Sequence, residues 1–273
     1  MSAAAVPVIS LRDVSKTFAK AGGTSGYVAV DRLDLHVAEG QMLALLGKTG
    51  CGKSTIFNMI AGLTQPTSGV VTVNGRNPFC EFDFFRGRMA IVFQNDRLLP
   101  WRSALQNVEL GLEMLDVPAE KRKATAMLWL DKLSLRGHEH DYPHALSGGM
   151  RQRVAIARAF ATDANILLCD EPFSALDEMT GRTLRAEFVK LVKDNGKTAV
   201  FITHSINEAL QIGDRIVVLK RPANIALDVA LTPDTTSEEK ERSATAFKAC
   251  WPPEGTQLPE VACKHIAAKS AMT

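Results

Sequence analysis

Two hydrophobic periods run along this chain. Val8 to Val14 alternates apolar and polar residues, and Val28 to Val37 does so again, with Ala29, Leu33, Leu35 and Val37 on related faces. Period-two alternation predicts strands with one buried face, the pattern of an antiparallel sheet. Gly22, Gly23 and Gly26 mark a turn between these strands, and Glu39-Gly40 ends the second. Gln41 to Leu46 is a nearly continuous apolar run, as expected of a strand covered on both faces. Met89 to Phe93, Ile166 to Cys169, Thr198 to Thr203 and Arg215 to Leu219 are further short strands. Helical spacing covers Ser54 to Gly62, Ala119 to Leu133, Gly149 to Ala161, Glu178 to Asp194 and Ile206 to Ile212.

Strands alternating with helices predict an α/β fold with a mainly parallel sheet, preceded by an N-terminal antiparallel β subdomain. Residues 95–148 are almost strand-free, which predicts a helical insertion, a subdomain of about 95–160 once the next helix is included. The pattern weakens after Arg221-Pro222. The main domain is therefore read as 8–222, and 223–273 as a C-terminal tail or small appended lobe, too short for a separate tight domain. Cys250-Trp251-Pro252-Pro253 reads as a docking patch, a regulatory element or a poorly ordered end, the last being favoured.

Composition narrows the class. The 273 residues are 46% hydrophobic and 23% charged, an ordinary balance for a folded chain long enough to bury a core. Lys and Arg number 32 against 30 Asp and Glu; the net charge of +2 argues against bulk electrostatic binding of nucleic acid. No apolar run approaches the ~20 residues of a membrane-spanning helix. Met1 to Val8 lacks a basic start and a long apolar stretch, so no secretory signal is expected and the chain reads as soluble and cytosolic. Cys51, Cys80, Cys169, Cys250 and Cys263 are odd in number with no close pair, which favours reduced thiols over disulfides or a zinc site.

Gly47-Lys48-Thr49-Gly50-Cys51-Gly52-Lys53-Ser54-Thr55 fits GxxxxGK(S/T), with a predicted buried strand before it and a predicted helix after it. The glycines let backbone N–H groups converge on an anion, and the helix N-terminus adds its dipole and unpaired donors. Lys53 supplies a charge for β- and γ-phosphates, and Ser54 a hydroxyl ligand for Mg²⁺. Lys48 either helps hold phosphate or points to solvent, the second being favoured. Cys51, near a helix N-terminus and Lys53, is expected to have a lowered thiol pKa, and its alkylation to block nucleotide binding.

The run Ile166 to Cys169 ends in Asp170-Glu171, which places two acids at the carboxyl edge of the sheet, where ligands bind in open α/β folds. Asp170 is expected to hold Mg²⁺ through its water shell. Glu171 is expected to polarise a water as general base beside the γ-phosphate.

Leu146-Ser147-Gly148-Gly149-Met150-Arg151-Gln152-Arg153 opens a predicted helix, and Ser147, Gly148 and Gly149 there offer a second set of N–H donors to an anion. The string resembles the LSGGQ signature of ABC ATPases, with Met150 in place of glutamine. The resemblance implies that two copies of the chain pair head to tail and sandwich two ATP molecules between phosphate loop and signature. It implies roles elsewhere too. Gln94 resembles the Q-loop glutamine that contacts Mg²⁺ and the attacking water. Ser174-Ala175-Leu176-Asp177 resembles the D-loop, which crosses the dimer interface, and His204 resembles the switch histidine that hydrogen-bonds the γ-phosphate. Phe18 resembles the aromatic that stacks on adenine, with Tyr27 as a competing candidate.

In that family, the segment after the Q-loop glutamine docks a coupling helix of the membrane partner. Here Asn95 to Arg102 holds Leu98, Leu99 and Trp101, an apolar cluster in a predicted loop that favours a partner groove. The competing reading packs Trp101 back on the helical insertion. Leu98-Leu99-Pro100-Trp101-Arg102 and the Met150-bearing signature are similar to those of nitrate, sulfonate and taurine importers. The resemblance then implies an ATP-hydrolysing subunit, peripheral on the cytoplasmic face of the inner membrane. Its partners would be two transmembrane permease subunits and, indirectly, a solute-binding protein, moving a small anionic solute. The alternative, a soluble ABC ATPase of DNA repair or translation, is disfavoured by the single phosphate loop and the lack of sustained heptads.

Overall fold

The computed structural model describes residues 7–19, 26–232 and 235–250. Gly22, Gly23, Cys263 and the run Trp251-Pro252-Pro253 lie outside the described residues. In chain order the elements are β1 (Ile9–Phe18), β2 (Tyr27–Val37), β3 (Met42–Gly47), α1 (Lys53–Ile60), β4 (Ser68–Val73), β5 (Met89–Val92), α2 (Ala104–Met114), α3 (Ala119–Lys132), α4 (Gly148–Ala161), β6 (Ile166–Asp170), α5 (Glu178–Asp194), β7 (Thr198–Thr203), α6 (Ile206–Ile212), β8 (Arg215–Lys220), β9 (Asn224–Ala230) and α7 (Ser237–Ala249). They fall into two compact units. One holds the described residues up to Glu81 with the described ones from Phe201 onward; the other is Phe82–Val200.

In the first unit, β2, β1 and β4 form an antiparallel three-stranded sheet in that order. Ile9 faces Val37 on one side and Val73 on the other, and Phe18 faces Tyr27 at the far end. The alternating pattern is explained by burial: Ile9, Leu11, Val14, Leu33, Leu35 and Val37 all lie in the core. Every residue of β3 is buried, and the strand pairs in parallel with β8, Leu43 facing Arg215 and Gly47 facing Leu219.

The segment after Pro222 supplies two elements to this unit. β9 pairs antiparallel with β8. α7 opens on a capping box, in which the Thr236 hydroxyl accepts from the Glu239 N–H and the Glu239 carboxylate accepts from the Thr236 N–H. Ala246, Phe247 and Cys250 of its last turn pack into one cluster with Ala44, Leu46, Ile216, Val218 and Leu227. Burying a side chain of Phe247's size stabilises by about 1.5–3 kcal/mol. The cluster sits directly behind β3, the strand that leads into the phosphate loop.

In the second unit, α2, α3 and α4 pack on one another, and β5 pairs in parallel with β6. An aromatic chain runs through this unit: Trp129 lies 5.1 Å from Phe160, Phe160 lies 6.0 Å from Phe188, and Phe188 lies 5.7 Å from Phe173. The last two contacts are edge-on, the geometry ring quadrupoles favour. Helix α2, which the hydrophobic pattern does not separate from its surroundings, carries Gly111 in its interior. A Cβ there would lie 2.6 Å from Thr162 Cγ2, so the glycine allows close helix approach while weakening the local helical preference. Among the described residues, no helix is long and apolar enough to cross a membrane.

Candidate functional site

The phosphate loop connects β3 to α1. Gly52, the N-cap of α1, has φ +110°, and a Cβ there would lie 2.4 Å from the Ala29 carbonyl oxygen and 2.7 Å from Ala223 Cβ. Only glycine meets both demands. With glycine as N-cap, no side chain accepts from the first N–H groups of α1, which leaves the end of the helix available to an anion. Lys53 is buried and folds back over the loop, its Nζ donating to the carbonyls of Gly47 at 2.6 Å and Lys48 at 3.0 Å. Lys48, Thr49, Gly50 and Ser54 are exposed, Thr55 half-buried. The loop thus combines one buried ammonium, that of Lys53, with the exposed one of Lys48, oriented helix donors and an accessible hydroxyl.

Cys51 departs from the expectation of an acidified thiol. Its side chain is buried; a Cβ on Gly47 would lie 2.6 Å from its Sγ. Burial pushes the thiol pKa up, and the opposing charge of Lys53 is the smaller influence.

Phe18 and Tyr27 form a cross-strand pair with similar exposure, 42% and 40%. Their surroundings differ. The Tyr27 hydroxyl donates to the Gly50 carbonyl at 3.1 Å, and the Arg221 guanidinium lies 5.3 Å from the Tyr27 ring. The Phe18 ring has the Lys16 ammonium 5.1 Å from its centre.

His204 is exposed immediately after β7. A buried network shapes its turn. Thr203 Oγ1 donates to Glu208 Oε2 at 2.5 Å and accepts from the Ser205 N–H at 2.9 Å. Ser205 caps α6 by accepting from the Glu208 N–H at 3.3 Å.

The second unit carries the acids. Four buried residues of β6 precede the half-buried Asp170. Glu171 follows with φ +44°, a left-handed conformation that holds roughly 1–3 kcal/mol of strain in a non-glycine residue and is concentrated at functional sites. Cys169 is buried and inert, its thiol pKa pushed far up by desolvation. The turn beyond Glu171 is anchored by Phe173 against Phe188. Ser174 closes it: its Oγ and its backbone N–H donate to the Glu171 carbonyl at 2.9 and 3.2 Å. Gln94, two residues beyond β5, donates from Nε2 to Ser174 Oγ at 3.1 Å. Asp177 caps α5, accepting from the Thr180 N–H at 3.0 Å, a bond that holds its carboxyl below the usual range.

Ser147 caps α4 through the Met150 N–H at 3.3 Å, which puts Ser147, Gly148 and Gly149 at the helix N-terminus. A Cβ on Gly149 would lie 2.9 Å from Thr180 Cγ2, so glycine lets the signature approach the start of α5. Arg151 joins the signature to the segment after Gln94, its Nε donating to Asp96 Oδ2 at 3.0 Å. Arg158 donates to the Asp96 and Arg97 carbonyls at 2.7 and 2.9 Å. No sequence pattern announces these pairings.

Of the three apolar residues expected to form a docking cluster, Leu98 is packed inside (8% exposed), Leu99 is half-buried and Trp101 is 70% exposed. The expected cluster is therefore corrected to an outward indole on a loop. Fully buried Asn107 fixes that loop, donating from Nδ2 to the carbonyls of Leu99, Arg102 and Ser103 and accepting from the Leu99 N–H at 2.8 Å.

The ABC transporter family pattern matches residues 30–174. A taurine import ATP-binding protein of Yersinia pestis is 42% identical over 197 residues, 71% of this chain and 74% of that protein. A nitrate import ATP-binding protein of Synechococcus elongatus is 40% identical over 213 residues, 77% of this chain and 32% of that longer protein. A solved dimeric ATP-binding cassette in a post-hydrolysis state, bound to ADP and Pi, matches with a TM-score of 0.72 and 34% identity, covering 82% of this chain and 99% of that one. The chain belongs to the ABC transporter family and has the fold of its ATPase cassette.

Proposed function

We propose that this chain is the ATP-hydrolysing nucleotide-binding subunit of an ABC importer, energising uptake of a small anionic solute of the sulfonate, taurine or nitrate kind through a separate permease. The phosphate loop carries the reading: a buried lysine folded over the Gly47 and Lys48 carbonyls beside an uncapped helix N-terminus, in a chain whose relatives include import ATP-binding proteins.

In this reading the N–H groups of Gly47 to Thr55 and the Lys53 ammonium bind the phosphates, and Phe18 stacks on adenine. Ser54, Gln94 and Asp170 offer only oxygen ligands toward Mg²⁺, which suits a hard cation usually held by one or two carboxylates plus phosphates. Mg²⁺ bound with ATP neutralises charge on the phosphate oxygens. Glu171 takes a proton from the attacking water. His204 hydrogen-bonds the γ-phosphate, and Ser147, Gly148 and Gly149 of a second copy close over the nucleotide, with Asp177 at the dimer contact. ATP drives closure because the closed dimer binds it better than the open one, and hydrolysis releases that preference. Two permease subunits dock near Leu98, Leu99 and Trp101, chiefly on the exposed indole, and in this reading the chain is peripheral on the cytoplasmic face of the membrane. A solute-binding protein acts through the permease.

Glu171→Gln removes the base while keeping the shape. Size-exclusion chromatography of that variant with ATP is expected to show a stable dimer. A persistent monomer with ATP bound would count against the sandwich mechanism.

A further inference from the structure

A serine hydroxyl has one proton to donate and two lone pairs to accept with. Ser174 Oγ commits its proton to the Glu171 carbonyl at 2.9 Å, a bond that the Ser174 backbone N–H reinforces at 3.2 Å. Toward Gln94, 3.1 Å away, this oxygen can therefore only accept. The Gln94 amide is planar, with a donor at one end and an acceptor at the other. Its last torsion is broad and roughly two-fold, so the two ends would otherwise exchange with little resistance. Gln94 is exposed, and no burial around it makes that choice. The hydroxyl makes it by capturing Nε2, which turns Oε1 away from Ser174.

From this geometry we propose that Ser174 is a positioning residue: it fixes the Gln94 amide so that Oε1, the only end able to ligate a hard cation, is the end presented to Mg²⁺, and it pins the strained turn that carries Glu171. The inference rests on the reading of Gln94 and Glu171 given above. The two duties share one hydroxyl. The bond to the Glu171 carbonyl restrains a residue at φ +44° from relaxing, and the same bond orients the hydroxyl toward Gln94 as acceptor. Removing the hydroxyl frees both.

The test uses the full chain carrying Glu171→Gln, loaded with ATP, with Mn²⁺ titrated in place of Mg²⁺ and followed by electron paramagnetic resonance. Ser174→Ala is expected to weaken Mn²⁺ binding by about 10–100-fold, the usual effect of losing a group that orients a metal ligand. ATP affinity in EDTA and Tm are expected to stay unchanged, and Ser174→Thr, which keeps the hydroxyl, to restore Mn²⁺ binding. In a Gln94→Glu background either end of the side chain is an oxygen, so Ser174→Ala should change Mn²⁺ affinity by less than about threefold; this non-additivity would not arise from general loosening. If Ser174→Ala lowers Tm, Ser174→Cys, close in volume with a much weaker donor, is scored in its place. Unchanged Mn²⁺ affinity in Ser174→Ala, or an equal loss with and without Gln94→Glu, would overturn the positioning role while leaving the parent reading intact. If Gln94→Ala itself leaves Mn²⁺ affinity unchanged, the assignment of Gln94 falls, and this inference with it.

Discussion

The Tyr27 hydroxyl donates to the Gly50 carbonyl at 3.1 Å, tying the first residue of β2 to the phosphate loop. That bond separates the duties of two aromatic residues that face each other across the sheet. Tyr27 braces the loop, and in the proposed reading Phe18 is the ring that stacks on adenine. Base–aromatic stacking contributes ~1–3 kcal/mol, so Phe18→Ala is expected to weaken ATP binding about tenfold. Tyr27→Phe removes a net hydrogen bond of ~0.5–1.5 kcal/mol and is expected to do less. Isothermal titration calorimetry ranks them; unchanged ATP affinity in Phe18→Ala would remove Phe18 from the adenine contact.

Two glycines of the loop differ in what they avoid. Gly50 has φ +77° and open space around it, so Gly50→Ala meets only the left-handed penalty of roughly 1–2 kcal/mol. Gly52 has φ +110° and also lies against the Ala29 carbonyl. Gly52→Ala is therefore expected to cost clearly more in urea denaturation. Equal costs would show that the loop shifts to make room.

Burial of Cys51 reverses the order of thiol reactivity. Exposed Cys80 is expected to alkylate well before Cys51, as peptide mass mapping would record. Because the Cys51 pKa is raised in the fold, its thiolate forms only above the ordinary thiol range, and its labelling should rise steeply only there. The sign also governs stability: the contribution of the neutral thiol is complete below the unfolded-state pKa and is lost as pH rises through the folded-state one. Fast labelling of Cys51 at neutral pH would contradict this.

Phe247 is fully buried behind β3. Phe247→Ala is expected to lower the unfolding free energy by about 3–5 kcal/mol, the range for large-to-small core changes. A loss below about 1 kcal/mol would mean that α7 is not part of the cooperative unit.

Trp101 is held outward by the loop that Asn107 fastens. Trp101→Ala is expected to leave ATP binding and Tm unchanged and to weaken co-purification with the proposed permease, as loss of an interfacial indole would. Leu98→Ala is expected to act on Tm instead, because Leu98 is buried. Intact co-purification of Trp101→Ala would move the docking surface elsewhere.

Much of the fold was legible locally. β7, α5 and α6 have the bounds that their residue patterns predict: β7 is a wholly buried run rich in β-branched and aromatic residues, and α5 and α6 bury one helical face. The segment 224–250 was harder. β9 is an edge strand with a mostly half-buried pattern, and α7 buries only its last turn, so neither shows a strong period. Among the site residues, the contiguous strings were legible because a phosphate loop or a capped signature is built from neighbours in sequence. The thiol of Cys51 was misread because proximity to Lys53 is visible in the string and burial against Gly47 is not.

By itself the sequence determined the strand-loop-helix around Lys53, the acids at the end of β6, the Ser147 cap and the family to which these belong. Each depends on residues a few positions apart, where backbone geometry leaves little choice. Only the tertiary structure decided which distant side chains meet. Gln94 and Ser174 are 80 residues apart, and Asp96 and Arg151 are 55 apart. A side-chain hydrogen bond forms only when donor and acceptor come within about 3.5 Å, and separations along the chain of that size say nothing about it.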